Sequence, residues 1–464
     1  MRMKTITATL TLAGFCLGAQ AQSNDALLDV LIKKGVLTKD EAASVRKEAA
    51  DAKPADTTTS LRPLEAYAET EEGKSALDRM LDDKLKSRSK DKWYEKVKLA
   101  GYTQVRYTSL MNQSGAVLNV PNDGSARDRE SLRIRRGRIK FSGDVAERLY
   151  LYAQMDFAAS VGGGFGVQMR DLYGDISLDA DKEYRIRLGQ SKVPFGFVNL
   201  QSSQNRAPLE RADALNSALE NERDLAAFFY WTPKRVQDRF KEIKKLGLKH
   251  SGNYGMFGFG VYNGQGPNRN DVNGLVHTVV RASYPFQLKN GRFLEVGAQA
   301  YHGEFQVSTA DPDGAGPLAA PDAGRDGVRD QRAGLSFILY PQPWGLEAEW
   351  NIGRGPTLSG DSLSVGSESL HGGYLMAYYK ADTGWGRFFP YARWNYYDGG
   401  RKFATNAPAS VVNEMDFGVE WSPWKFVEVA IQYTKTFERT NTGVFPYAST
   451  TNADRVGFQL QMNY

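Results

Sequence analysis

The chain is poor in the residues that carry most catalytic and cross-linking chemistry. Its 464 residues include one cysteine, Cys16, and four histidines. Because Cys16 lies in a predicted leader, we expect no thiol in the mature chain, which excludes a disulfide framework, a Cys-ligated metal and a cysteine nucleophile. None of the scattered histidines belongs to a nucleophile motif: His250, His277, His302 and His371. We therefore expect no enzymatic activity and no cofactor.

Long apolar runs and a strong net charge are also missing. Mean hydropathy is −0.49, and after the leader no run of about twenty apolar residues predicts a membrane-spanning helix. Such a profile ordinarily indicates a soluble protein, but a transmembrane β-barrel is an exception because only every second strand residue is apolar. The formal charge is +5, so any charge preference must come from placement. Nothing in this balance indicates a nucleic-acid partner.

The first residues have the pattern of a secretion signal. Arg2 and Lys4 form a basic start, an uncharged apolar run follows, and Ala19-Gln20-Ala21 is a small-x-small cleavage site. Residues 1–21 are therefore predicted to be a signal peptide, with the mature chain beginning at Gln22.

Two further segments precede the strands. Residues 22–50 are predicted to form a helical hairpin or an oligomerising coiled coil, since apolar residues recur at helical spacing and Gly35 fits a C-cap. Thr38 and Glu41 form a capping box for the second helix. Residues 51–95 are polar and are predicted to be a linker.

From residue 96 onward the apolar period becomes two. The last strand is the clearest case, with Val456, Phe458 and Leu460 alternating with glycine and glutamine up to a terminal aromatic, Tyr464. We count sixteen strands, four of them weaker. The weaker candidates lie around residues 245–250, 256–262, 275–284 and 373–380. The pattern predicts an all-β, antiparallel, up-and-down transmembrane barrel over residues 96–464.

The connections alternate between short and long, which is typical of an outer-membrane barrel with short periplasmic turns and long external loops. Residues 251–253 are predicted to be a tight turn and residues 158–169 a long loop. The longest connection, about 191–243, is the third long loop. A loop of that length is more than a connector, and we expect it to fold into the lumen and narrow the pore.

Strand parity predicts which charges face the lumen. Arginine on the lipid face would cost about 2–4 kcal/mol at midplane, so inward placement is required with or without a solute. The clusters on the second strand all point inward only if Arg135-Arg136 is a bulge. The candidate pore-lining and anion-binding cations are Arg106, Arg133, Arg135, Arg136, Arg138, Lys140, Arg185, Arg187, Lys192, Arg206 and Arg211. An opposed acidic arc comprises Glu347, Glu349, Asp416, Glu420 and Glu428.

An acidic loop raises the question of a metal. Four aspartates, Asp311, Asp313, Asp322 and Asp326, lie in a segment rich in glycine and proline. Their spacing matches no calcium-binding loop. We therefore predict a solvated loop and no metal site.

Several stretches resemble the phosphate-selective porin O and P family. They are residues 101–107 (GYTQVRY), 134–143 (IRRGRIKFSG), 188–196 (LGQSKVPFG), 260–264 (GVYNG) and the aromatic C-terminal strand. The resemblance implies a homotrimer of sixteen-stranded barrels, an inward third loop and a basic lumen that draws in phosphate-like anions. One departure is Gln190, where several members have arginine.

The resemblance also implies where the protein works. It places the barrel in the outer membrane of a Gram-negative bacterium among lipid and lipopolysaccharide, with the N-terminal segment in the periplasm. The C-terminal aromatic strand would be recognised by the barrel-assembly machinery. We expect a porin for passive diffusion of small solutes with a preference for anions. A non-selective porin, or one for sugars or organic acids, is the alternative.

Overall fold

The described part of the barrel consists of sixteen antiparallel strands. The computed structural model describes residues 92–115, 131–161, 164–309, 327–359, 364–441 and 448–464, with a few scattered residues before them. The strands are β1 (Lys98–Gly115), β2 (Ser131–Ala146), β3 (Leu149–Val161), β4 (Gly164–Ser177), β5 (Tyr184–Lys192), β6 (Arg223–Trp231), β7 (Phe257–Tyr262), β8 (His277–Gln287), β9 (Phe293–Phe305), β10 (Val328–Leu339), β11 (Trp344–Leu358), β12 (Val365–Tyr379), β13 (Gly386–Gly400), β14 (Ala409–Trp424), β15 (Val427–Asn441) and β16 (Ala448–Asn463).

Helices lie in the connections. In the described residues, α1 (Phe197–Leu200) and α2 (Asp213–Asn216) lie between β5 and β6, and α3 (Lys234–Lys245) follows β6. Short 3-10 turns cover Trp93–Lys96 and Glu220–Glu222. No helix in the described ranges is long and apolar enough to cross a membrane.

The sheet closes on itself. Each strand pairs with its neighbours in the chain, and β1 pairs with β16, with Tyr102 opposite Asn463. The amide of Gly101 donates to the carbonyl of Tyr464 at 2.6 Å, and the amide of Tyr464 donates back to Gly101 at 3.0 Å. A short continuation of β12, Ala381–Thr383, pairs with the same β13 and adds no further strand. The predicted fold class and the count of sixteen strands are confirmed.

Side chains alternate between the two faces of this wall. On β10, Asp330 and Arg332 are buried, whereas Leu335 and Phe337 are exposed. Because successive strand residues point to opposite faces, the wall has an apolar outside and a polar inside. Large apolar residues exposed on strands around the ring include Leu99, Leu132, Ile134, Leu151, Leu172, Leu188, Phe259, Leu335, Phe337, Ile352, Leu375, Phe417, Ile431 and Phe458.

Aromatic pairs lie at the end of the barrel where the connections are short. The ring centroids of Trp344 and Tyr379 are 4.7 Å apart, and those of Trp424 and Phe426 are 5.8 Å apart. Rings with an apolar body and a polar edge are typical of membrane–water interfaces. We call this end of the barrel the turn end.

The predicted third loop extended too far. Residues 223–231, inside the predicted loop 191–243, form strand β6, so the inward connection covers residues 193–222. This strand is apolar on both faces because its inward residues Phe228 and Tyr230 belong to a buried apolar cluster that also contains Val193 and Phe195 of that connection. A strand that is apolar on both faces shows no alternation.

The weak strand predicted at 245–250 was also wrong. Residues 234–245 form α3, in which Val236, Phe240 and Ile243 are buried at helical spacing. The predicted tight turn at 251–253 therefore belongs to a longer connection, residues 232–256. The predicted long loop 158–169 is short, because β3 continues to Val161 and β4 begins at Gly164.

Most of the N-terminal predictions fall outside the described residues. This applies to the signal peptide 1–21 and to most of 22–50 and 51–95, as it does to the aspartates within 310–326. In the N-terminal unit, residues 1–89, Thr38 immediately precedes helical residues, and its carbonyl accepts a hydrogen bond from the amide of Ala42 at 3.0 Å. Thr38 is the position where the sequence predicts a helix N-cap.

Candidate functional site: the barrel lumen

Residues 193–222, here called L3, lie against inward-facing side chains from distant parts of the ring. Gln104 on β1 donates to the carbonyl of Ser203 at 3.1 Å. Arg332 on β10 donates to the carbonyl of Ala214 at 3.0 Å. On β15, Gln432 accepts the amide of Leu209 at 2.9 Å. Partners this widely spread around the wall place L3 inside the barrel.

Two of the predicted pore cations hold L3 together. The ammonium of Lys192 donates to the carbonyls of Asn199, Leu200 and Gln201 at 2.8, 3.1 and 2.5 Å. Arg211 donates from Nε to the carbonyl of Val198 at 2.9 Å and pairs through Nη1 with Glu222 at 2.8 Å. Both side chains are buried, so they position the loop backbone.

Three other predicted cations meet on one loop carboxylate, that of Glu210. Arg106 Nη1 and Arg135 Nε lie 2.7 and 2.8 Å from Oε1, and Arg136 Nη2 lies 3.1 Å from Oε2. The register of β1 and β2 shifts between Gln104 and Val105, so that Arg135 has no opposite residue. The predicted bulge is therefore confirmed, and it lets adjacent arginines share one inward target.

The arginines keep Glu210 ionised. Burial alone would raise the pKa of its carboxyl, but the charges of Arg135, Arg136 and Arg106 outweigh burial and hold that pKa well below its ordinary value. A carboxylate that accepts several charge-assisted hydrogen bonds is strongly favoured in its charged form. The L3 contact with the basic wall is therefore an ion pair throughout the neutral range.

The remaining wall cations divide into paired and partly exposed groups. Arg138 pairs with Asp156 at 2.8 Å, and Arg187 pairs with Asp175 at 2.7 Å. Arg185 is half-buried and donates to the backbone carbonyl of Asn253. The predicted cations Arg133 and Lys140 also keep part of their surface in water.

Arg206 differs from these because it lies on L3 itself. Its side chain is buried, and its Nη2 donates to the carbonyl of Leu209 at 2.9 Å. Its Nε and Nη1 have no hydrogen-bond partner among the residues that the structure describes. Arg206 therefore brings into the lumen a buried cation with two nitrogens that lack acceptors in the described residues.

The acidic arc is covered by L3. Glu349 on β11 accepts the amides of Phe197 and Val198 at 2.5 and 2.7 Å, so it holds the first turn of the loop. The hydroxyl of Tyr374 lies 2.6 Å from Glu347 and 3.0 Å from Glu349. Glu347 and Glu349 are 1% and 2% exposed, so neither offers its charge to the passage.

Cations cover the next two acids of the arc. Arg393 on β13 pairs with Asp416 at 2.6 Å, and Arg393 Nη1 also donates to the backbone carbonyl of Glu210 at 2.8 Å. Lys249 reaches Glu420 at 2.6 Å from the connection between β6 and β7. Glu428 is half-buried and lies at the turn end.

Inward-facing cations and inward-facing acids therefore differ in how far they are exposed to water around the wall. Arg133, Arg135 and Lys140 follow one another along β2, and all three are half-buried. Among the described strand residues, the inward acids with comparable or greater exposure are Asp144 and Glu428 at the turn end and Glu368 near the other end of β12. The β2 side of the wall thus presents positive charge to water.

Helix α3 packs at the turn end of the lumen. Its apolar face, Val236, Phe240 and Ile243, joins one buried cluster with Ile338 on β10 and Phe197 of L3. The backbone carbonyl of His250, in the same connection, accepts a hydrogen bond from Asn205 of L3 at 2.8 Å. Residues 232–256 therefore support L3 from the turn end of the barrel.

Sequence reasoning missed several residues of this site. Glu210 and Lys249 lie in connections, where strand parity gives no direction. Arg332 could have been found, because Leu335 and Phe337 set the parity of β10 and place Arg332 inward. Arg281 follows the same logic on β8, where it pairs with Glu295 at 3.2 Å.

A closed barrel with an apolar outer face, a charged interior and a loop folded inside defines a channel-forming protein of the bacterial outer membrane. A family model described as phosphate-selective porin O and P matches residues 107–464. The chain therefore belongs to that family, as its sequence motifs indicate. No curated protein matches the chain.

Solved structures of outer-membrane proteins are similar in fold. The channel DcaP of Acinetobacter baumannii is 16% identical, with a TM-score of 0.49 over 79% of this chain and 97% of that one. Salmonella typhi OmpF is 12% identical, with a TM-score of 0.49 over 79% and 97%. The trimer form of Vibrio cholerae OmpT is 11% identical, with a TM-score of 0.46 over 79% and 99%. Likeness at this level does not extend to solute or assembly.

Proposed function

We propose that the protein is an outer-membrane porin through which small solutes diffuse passively, with a preference for anions. The observation that carries the proposal is the unequal covering of the wall charges. Glu347, Glu349 and Glu420 are closed off, while Arg133 and Lys140 remain in contact with water. A solute passing L3 meets the exposed charges first.

The chemistry of these cations suits transient contact with anions. Guanidinium stays charged and offers a planar set of donors to oxyanions. Several partly hydrated cations along β2 allow an anion to pass from one to the next, since each binds weakly. Phosphate is the solute in the family name, and inorganic phosphate is therefore the first anion to test.

Reversal potentials in a salt gradient test the anion preference. We expect chloride to permeate more readily than potassium in the native channel. The double variant Arg133→Ala with Lys140→Ala, which leaves the Glu210 contacts in place, should lower the chloride-to-potassium permeability ratio by about two- to fivefold. The matched control is Lys289→Ala with Lys425→Ala, since both lysines are exposed in short turns. A cation-selective native channel would refute the proposal.

A non-selective porin, or one for sugars or organic acids, is favoured by a different observation. Most buried lumen cations have a carboxylate partner, for example Arg138 with Asp156 and Arg393 with Asp416. An interior neutralised in this way also admits uncharged solutes. Proteoliposome swelling distinguishes the two functions. With an anion-preferring pore, the liposomes should swell faster in a chloride salt than in a neutral sugar of similar size.

We also propose a homotrimer, with the N-terminal segment on the periplasmic side. Strands β5, β6 and β7 have 9, 9 and 6 residues, whereas β1 has 18. A membrane-spanning strand needs about 9–11 residues, so β5 and β6 are at the lower limit and β7 is below it. A wall this short favours contact with another subunit. Light scattering of the detergent-solubilised protein tests the trimer, and a monomeric mass would contradict it.

A further inference from the structure

The carboxylate on the basic wall belongs to a loop. Glu210 is 13% exposed, and Arg135, which binds its Oε1, is 21% exposed. Arg106 and Arg136 behind them are 1% and 4% exposed. The arginines around the carboxylate therefore come from β1 and β2. The Glu210 side chain extends to them from L3, and one side of it remains open to water.

A second observation at the same place indicates an anion. Arg206 is 4% exposed, and within the described part of the chain its Nε and Nη1 have no hydrogen-bond partner. Its charge acts on Glu210, which follows four residues later in L3. Buried donors without acceptors are rare and costly. The site thus has more cationic donors than Glu210 satisfies.

We propose that Arg106, Arg135, Arg136 and Arg206 form a binding site for a carboxylate solute, in which the Glu210 side chain is the resident occupant. The proposal rests on the anion-conducting function and specifies its solute class. An arriving carboxylate replaces Glu210 on Arg135 and Arg136 and gains the free donors of Arg206. Glu210 then swings toward water, and returns when the solute leaves.

The exchange keeps the arginines compensated. One carboxylate leaves the guanidiniums as another arrives, so no buried cation is left without an anion, which would be strongly unfavourable. The geometry also favours carboxylate over phosphate. The arginines bind the two oxygens of one planar group at 2.7–3.1 Å, whereas tetrahedral phosphate presents further oxygens in other directions.

The test measures block of single-channel chloride current by added succinate, acetate or inorganic phosphate. In Glu210→Gln the resident charge is lost, and we expect the half-blocking concentration of succinate to fall about tenfold, which corresponds to about 1.4 kcal/mol. Asp144→Asn removes an inward charge at the turn end, where Asp144 pairs with Lys182, and serves as the matched control. It should change succinate block less than twofold.

A second variant tests the site with Glu210 intact. Arg206→Ala removes the unpaired donors, and we expect succinate to block at a concentration several times higher than in the native channel. If succinate blocks the Glu210→Gln and Arg206→Ala channels at the same concentration as the native channel, the site does not bind carboxylates. Equal strengthening of phosphate and succinate block would refute the carboxylate class. A native channel selective for cations would instead refute the function on which the proposal rests.

Discussion

On β2 the inward cations Arg135 and Lys140 keep contact with water, whereas on β11 and β14 the inward acids Glu349 and Glu420 are covered by loop segments. Both regions carry charges at the same strand parity, and both contact L3 or its support. They differ in what covers them, because L3 places backbone amides over Glu349, and Lys249 lies over Glu420. The charge that a solute meets is therefore set by connections as much as by the wall.

The largest effect is expected on the acidic side, from Arg393→Ala. Asp416 would keep its hydrogen bonds to Gln432 and Thr434 but lose its buried counter-charge. Breaking a buried ion pair from one side costs about 3–5 kcal/mol. Thermal unfolding of the refolded barrel, followed by its heat-modifiable migration in gels, should shift to a clearly lower temperature. An unchanged transition would mean that this pair is solvated.

Loss of the Glu349 carboxylate should uncover the acidic arc. Glu349→Ala leaves the amides of Phe197 and Val198 without their acceptor, at a cost of about 1.5–3 kcal/mol. The start of L3 should detach and expose Glu347, so anion preference should fall and loop proteolysis should speed up. Asp398→Ala, on the outward face of β13 opposite exposed His371, is the control. A variant with native selectivity would show that L3 does not cover the arc in the membrane.

The support under L3 should respond to acid. Burial, together with Lys244 and Lys249, lowers the pKa of His250 from 6.5 to about 4. Because this value lies below that of the unfolded segment, the stability from neutral His250 is complete above pH 6.5 and is lost as the pH falls toward 4. Proteolysis of residues 232–256 should accelerate in that window, and His250→Gln should remove the pH dependence.

The smallest effect is expected where an ion pair is exposed. Arg387 and Asp382 pair at 2.7 Å in the turn region, with side chains 36% and 58% exposed. Exposed pairs contribute about 0–1 kcal/mol, so Arg387→Ala should leave thermal unfolding nearly unchanged. A loss as large as that of Arg393→Ala would remove the distinction between covered and exposed charges.

Much of the wall could be predicted from sequence, because lipid outside and water inside impose a period of two. The same rule located the bulge at Arg135, since Ile134 and Ile139 cannot both face lipid without a shift in phase. Strand parity did not predict the strand where the inward side chains contact protein instead of water. Phe228 and Tyr230 on β6 lie in a buried apolar cluster with residues of L3, so the sequence of that strand does not alternate.

The structure of the connections was harder to predict from sequence than that of the strands. The α3 pattern of Val236, Phe240 and Ile243 is helical, but it lay inside a predicted loop and weak strand. Glu210 carries no local signal at all. Its partners Arg106 and Arg136 are 104 and 74 residues away in sequence, so only the three-dimensional path of L3 brings them together.

The contacts of L3 also constrain the order of folding. Gln204 donates to Asn463 at 3.0 Å, and Leu209 donates to Gln432, so the loop is fastened to the final strands of the chain. Contacts of such long sequence separation form late because loop closure must precede them. The interior of this barrel can be completed only after its last residues have been synthesised and have joined the ring.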